Sequence, residues 1–164
     1  MWGLMIICYI CMFVSFIFLS ITGFQSYFEF MIFKASYQEF ALFSTTFYMF
    51  SETLIMFYFI GSGTAIKKEV IHSGIVTSAY DRIKQSKMIL FPHLTFNMLI
   101  MGTAFILIGA VDTGSISHMT QMVCFMIAYV HFLYTIKIQH NGFKENINVI
   151  IEIANLDRTE SVAH

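Results

Sequence analysis

Between Glu39 and Lys67 the chain carries a single charged residue, Glu52, inside an otherwise uncharged, largely apolar run from 40 to 66. A helix of roughly 20 apolar residues crosses a bilayer, so this run is long enough to span. Three further runs qualify, and together the four cover about 2–24, 40–63, 88–111 and 117–136. A hydrophobic share of 57% against 12% charged residues lies far from a soluble domain of ordinary makeup. The chain therefore reads as an all-α integral membrane protein. We expect a four-transmembrane-helix bundle over 1–140, followed by a cytoplasmic amphipathic segment and tail over 141–164. The first run lacks a basic start and a small-residue cleavage site and is too long for a signal peptide, so it is expected to be a retained helix.

Basic residues set the expected orientation. With both termini cytoplasmic, the inner side carries Lys67, Lys68, Arg82, Lys84, Lys87, Lys137, Lys144 and Arg158, and the outer side only Lys34. That asymmetry is a positive-inside pattern for a plasma or inner membrane, bacterial or organellar. Cys8, Cys11 and Cys124 all fall inside spans, which argues against a disulfide framework. Cys8 and Cys11 stand three apart and could hold a soft metal, but small apolar packing is the plainer role.

The connections carry less information. Residues 25–39 are crowded with aromatic side chains, among them Tyr27, Phe28, Phe30, Phe33 and Tyr37, which suits the lipid interface or a partner subunit. Gly61-Ser62-Gly63 reads as a helix end or a close packing point, because no strand or phosphate-loop pattern accompanies it. Residues 80–87 look like a helical extension into span three, and Pro92 in the first turns of that span is a candidate kink. Asp112 to Ile116 is short enough to force spans three and four into an antiparallel hairpin. Asn141-Gly142 reads as a turn. Beyond it Phe143, Ile147, Ile150, Ile151 and Ala154 recur at helical spacing against polar residues, an amphipathic surface segment.

Depth counting at about 1.5 Å per residue places His93 about 9 Å and His131 about 10 Å from the cytoplasmic ends of their spans. Asn97 and Glu52 follow at about 15 and 16 Å. Four polar groups from three helices thus share one half of the membrane. His93 and Asn97 are four apart on one helix face, as are His131 and Thr135, with Tyr134 alongside. An ionised carboxylate at the depth of Glu52 costs about 3 kcal/mol on insertion scales. Such a residue is neutral, paired or functional.

Three chemistries suit this set. Imidazole and carboxylate are common ligands for iron, copper or zinc, so Glu52, His93 and His131 form a candidate metal site, with Asn97 and Tyr134 orienting the imidazoles. Haem b with His93 and His131 as axial ligands is a second, although helices packed about 8–10 Å apart leave little room for a macrocycle. A quinone site at the same residues belongs to the same redox class. Third, a membrane-centred Glu suits a proton-coupled transporter. In that respect alone the chain resembles the small four-helix multidrug exporters, with which it shares no motif. Against all three stands a ligand-free role, because interhelical hydrogen bonds among buried polar groups also act as packing glue. No H-E-x-x-H, E-x-x-H or H-x-x-x-H motif lies in any span, and the lone E-x-x-H, Glu69 to His72, lies beyond span two.

The expected function is that of an integral subunit of a larger, energy-converting or electron-transport assembly. Its partners would be the lipid bilayer and other membrane subunits, with no nucleic acid. The alternatives are a proton-coupled transporter worked by Glu52 and a purely structural subunit. Asp112, His118 and Gln121 form a candidate outer polar cluster.

Overall fold

A computed structural model describes residues 2–28, 36–73 and 77–162, all helical apart from Ser36 and the short α3–α4 connection. Helix α1 spans Trp2–Phe28, α2 Tyr37–Ser73, α3 Thr77–Asp112 and α4 His118–Val162. All four are long and apolar enough to cross a membrane. Phe30 and Phe33, part of the aromatic connection, lie outside the described residues. Tyr27 and Phe28 complete the last turn of α1 and are exposed.

Hydrogen-bonded pairs fix the topology. Thr22 of α1 meets Ser44 of α2, and His131 of α4 meets Asn97 of α3, so sequence neighbours run antiparallel. Tyr9–His140 and Ser20–Tyr129 close the ring between α1 and α4. Across the diagonal, Tyr37–Gln121, Glu52–Gln139 and Ser62–Asn146 join α2 to α4 with both numbers rising together, so these two helices are parallel. The result is an up-down-up-down bundle. Buried positions recur at alternating three and four residues, as in Met5, Cys8, Met12, Ser15, Leu19 and Thr22 of α1. A sevenfold repeat of this kind keeps one face toward its neighbours in a left-handed bundle.

The bundle is inverted relative to a soluble domain. Phe13, Phe57, Leu99, Ile106 and Val130 point outward, while Ser15, Ser44, Ser51, Glu52, Asn97, Thr135, Gln139 and Asn146 are buried. Between the polar levels lie two apolar clusters, one around Ile55, Phe59, Leu90, Leu94 and Phe143, the other around Leu19, Met101, Phe125 and Phe132. Cys8 packs in the first cluster, and all three cysteines are free thiols.

Capping explains where the helices begin and turn. Ser36 and Glu39 bond reciprocally at the start of α2, the Ser36 amide to Glu39 Oε2 at 2.8 Å and the Glu39 amide to Ser36 Oγ at 3.4 Å, a capping box. At the end of α3, Gly114 has φ +70°, its amide bonds Val111 O, and the Ser115 amide bonds Ala110 O. That is a Schellman motif, whose left-handed residue favours glycine. Ser117 then caps α4 through the Thr120 amide.

Two expectations need correction. Asn141-Gly142 is not a turn: α4 runs through it without interruption. A Cβ at Gly142 would lie 3.0 Å from Phe59 Cζ, so this glycine lets an aromatic ring close on the helix backbone. The segment beyond it is accordingly no separate surface helix. It continues α4, burying Phe143, Asn146 and Val149, with Val149 packed against Ile66, Ala79 and Ile83. Gly61-Ser62-Gly63 likewise lies inside α2 as a packing point rather than a helix end, and α3 continues through Pro92. At about 54–68 Å, α2, α3 and α4 overrun the ~30 Å hydrocarbon thickness. Their overhang at the termini end is pinned by Arg82, which bonds Glu145 at 2.7 Å and Glu152 at 2.8 Å.

Candidate functional site

The polar groups singled out by depth fall into two assemblies. The first is centred on Asn97 of α3, fully buried, whose Nδ2 donates to the Tyr48 hydroxyl of α2 at 2.5 Å while its Oδ1 faces His131 Nδ1 of α4 at 2.9 Å. An amide oxygen only accepts, so Nδ1 of His131 is the donor and carries the proton. In the neutral ring the lone pair then resides on Nε2. Thr135 lies one turn on, its hydroxyl donating to the His131 carbonyl at 2.9 Å. One buried amide thus sets both the tautomer and the orientation of an imidazole and ties it to a third helix.

His93 joins this assembly from the next turn of α3. Its ring centroid lies 5.7 Å from that of His131 with a tilt of 34°, and 5.4 Å from Tyr134 in an edge-to-face contact. Phe96 packs edge-on against His131 at 5.2 Å. Both imidazoles are half-buried, and Tyr134 is exposed on the outward flank of α4. There His131 and Tyr134 border a shallow, almost wholly apolar groove with Met126, Ile127 and Val130. Two half-buried imidazoles therefore stand side by side, with His131 bordering the groove on the outer wall and locked from behind.

Glu52 belongs to the second assembly. It is 1% exposed, and Gln139 Nε2 donates to its Oε2 at 2.5 Å. Gln139 is fully buried, and among the described residues its Oε1 has no hydrogen-bond partner, nor does the Oγ of neighbouring Ser51. Glu52 and Tyr48 are one helical turn apart on α2, and Gln139 and Thr135 one turn apart on α4, so the assemblies are adjacent levels of one polar column. They remain separate as ligand sets: among the described residues no group of three or more His, Cys, Asp or Glu gathers where a metal ion could sit. The structure brings His93, His131, Asn97 and Tyr134 together and places Glu52 with Gln139 instead.

Several polar partners lay beyond the reach of depth counting. Gln139 and Asn146 fell outside the expected spans, and Ser62, within 40–63, was read only as part of the Gly61-Ser62-Gly63 segment. The sevenfold spacing of Phe125, Phe132, Gln139 and Asn146 is the signal that places the last two on the buried face of α4. His140 is exposed and shares a 3.0 Å hydrogen bond with Tyr9. His72 and His164 lie outside the residues with described side chains. Comparison with protein-family models, with curated proteins and with solved structures finds no match.

Proposed function

We propose that the four helices cross a bilayer with both termini and the basic overhang on the cytoplasmic side. In that setting the chain serves as an integral subunit of a larger energy-converting assembly, offering His93 and His131 as two ligands to a transition metal or haem iron. The observation that carries this reading is the fixed tautomer of His131. A donor bond from Nδ1 to a buried acceptor is the arrangement that orients an imidazole for ligation through its other nitrogen. Two imidazoles leave a transition metal short of ligands, since four or more are usual. His131 borders the outer groove, where a neighbouring subunit can supply the rest. Lipid-facing apolar side chains and the eight-to-one bias of basic residues support the membrane placement.

Elemental analysis and an absorption spectrum of the protein extracted with its native partners test this directly. Stoichiometric metal or a Soret band is expected, lost in His93→Ala and His131→Ala. Asn97→Leu should weaken retention roughly 10–100-fold, as loss of an orienting partner does. Absence of both signals from the native assembly would sink the proposal.

A transporter worked by Glu52 is the second reading, favoured by the burial of that carboxyl group against Gln139. It requires that pH-driven flux in liposomes disappear in Glu52→Gln. Unchanged flux would end it.

A further inference from the structure

We propose that the loop end of the bundle holds a binding site for a small primary ammonium group. The site shares no residue with the histidine pair, and in the proposed topology it opens away from the cytoplasm. A cavity of about 390 Å³ lies where the last turns of α1 and α3 meet the first turns of α2 and α4. Its wall includes Ser26, Tyr37, Asp112, His118 and Gln121.

Gln121 is 1% exposed, and its Nε2 donates to the Tyr37 hydroxyl at 2.8 Å, which turns Oε1 the other way. Among the described residues that oxygen has no hydrogen-bond partner, and neither has the hydroxyl of Ser26, 5% exposed. Buried acceptors are rarely left unmade in native proteins, and these two, unlike those elsewhere in the bundle, belong to residues that line a cavity from which a donor can reach them. Asp112 supplies a carboxylate at the rim and makes no ion pair among the described residues.

The helix ends that would favour an anion are already occupied. At α2 the Glu39 carboxylate folds back on Ser36, and at α4 the Ser117 hydroxyl takes the Thr120 amide. What remains is one negative charge and two buried oxygens in need of N–H or O–H donors. A primary ammonium carries three donors and one positive charge, which matches Gln121 Oε1, Ser26 Oγ and the Asp112 carboxylate. His118 at the rim is a further acceptor when neutral. The group can belong to a free small amine or to the ethanolamine headgroup of a lipid.

The test is calorimetric titration of the full chain in detergent with ethanolamine, and with choline as a control of equal charge lacking N–H donors. Saturable ethanolamine binding is expected, at least tenfold weaker for choline. A loss of at least tenfold is expected in Gln121→Leu and in Asp112→Asn, the latter an exposed site whose folding is checked by circular dichroism. Nanodiscs separate the two sources. Loss of the ethanolamine signal in phosphatidylethanolamine but not phosphatidylcholine discs assigns the site to the lipid headgroup, and retention in both assigns it to a free amine. Absence of saturable binding in detergent, equal binding of choline, or an unchanged constant in Asp112→Asn would overturn the proposal.

Discussion

At the scale of single residues, Glu52 shows how a costly group is accommodated. Its carboxyl group meets the amide of Gln139 in a fully buried contact, and Gln139 keeps one acceptor to spare. A carboxamide at position 52 reproduces the shape and offers that acceptor a donor. Glu52→Gln should therefore hold stability within about 1 kcal/mol of the parent, as isosteric changes do. Glu52→Ala leaves a cavity and strips Gln139 of its partner, and should cost roughly 2–4 kcal/mol. Thermal unfolding of both variants in one detergent is the check. Equal damage from the two would mean that the negative charge itself holds the bundle together. Glu52, His93, His131 and Asn97 were legible because a polar residue in an apolar run is conspicuous. Their grouping was not, because depth gives the level of a residue but not its direction around the helix. His93 and His131 proved to face each other, whereas Glu52 turns to a residue beyond the expected end of its span.

Among the helices, the main surprise is continuity. A pattern of apolar runs marks the stretches suited to lipid, and α2, α3 and α4 extend well past them at the termini end, where their overhangs pack on one another. The Asn141-Gly142 pair looked like a turn since glycine serves turns and close contacts alike. Only the ring of Phe59 against its backbone tells which applies. A pair of substitutions separates the two uses of glycine. At Gly142 a leucine must displace Phe59, itself packed in the core, and should destabilise by about 1–3 kcal/mol. At Gly61, exposed on the same bundle with nothing within 4 Å of an added Cβ, alanine should stabilise by about 0.5–1 kcal/mol through helix propensity alone. Opposite shifts in unfolding midpoint are expected. A neutral Gly142→Leu would show that the Phe59 contact is loose and restore the turn as a fair reading.

For the molecule as a whole, the distribution of polarity is the constraint that the rest obeys. Apolar side chains cover the outside and polar ones bridge the inside, so in the proposed bilayer setting hydrogen bonds between helices, rather than burial of apolar area from water, would give the bundle its register. Class and helix number followed from composition, since four runs without internal charge pairs admit few other solutions. Ring order and the α2–α4 diagonal did not, because they depend on which face of each helix carries its polar residues. Orientation remains the property that a single experiment decides. Lys67, Lys68, Arg82, Lys84 and Lys87 gather at the end where α2 passes to α3, the same end as both termini, while the α3–α4 turn at Gly114 lies at the other. Basic residues resist translocation, so that crowded end should stay inside. With the three native cysteines replaced by serine, Ser115→Cys at the turn should react in intact cells with a membrane-impermeant maleimide. Lys84→Cys on the overhang should react only after permeabilisation. The reverse labelling pattern would invert the topology and turn the cavity of Gln121 and Asp112 toward the cytoplasm. Labelling of both positions in intact cells would deny that the bundle separates two compartments at all.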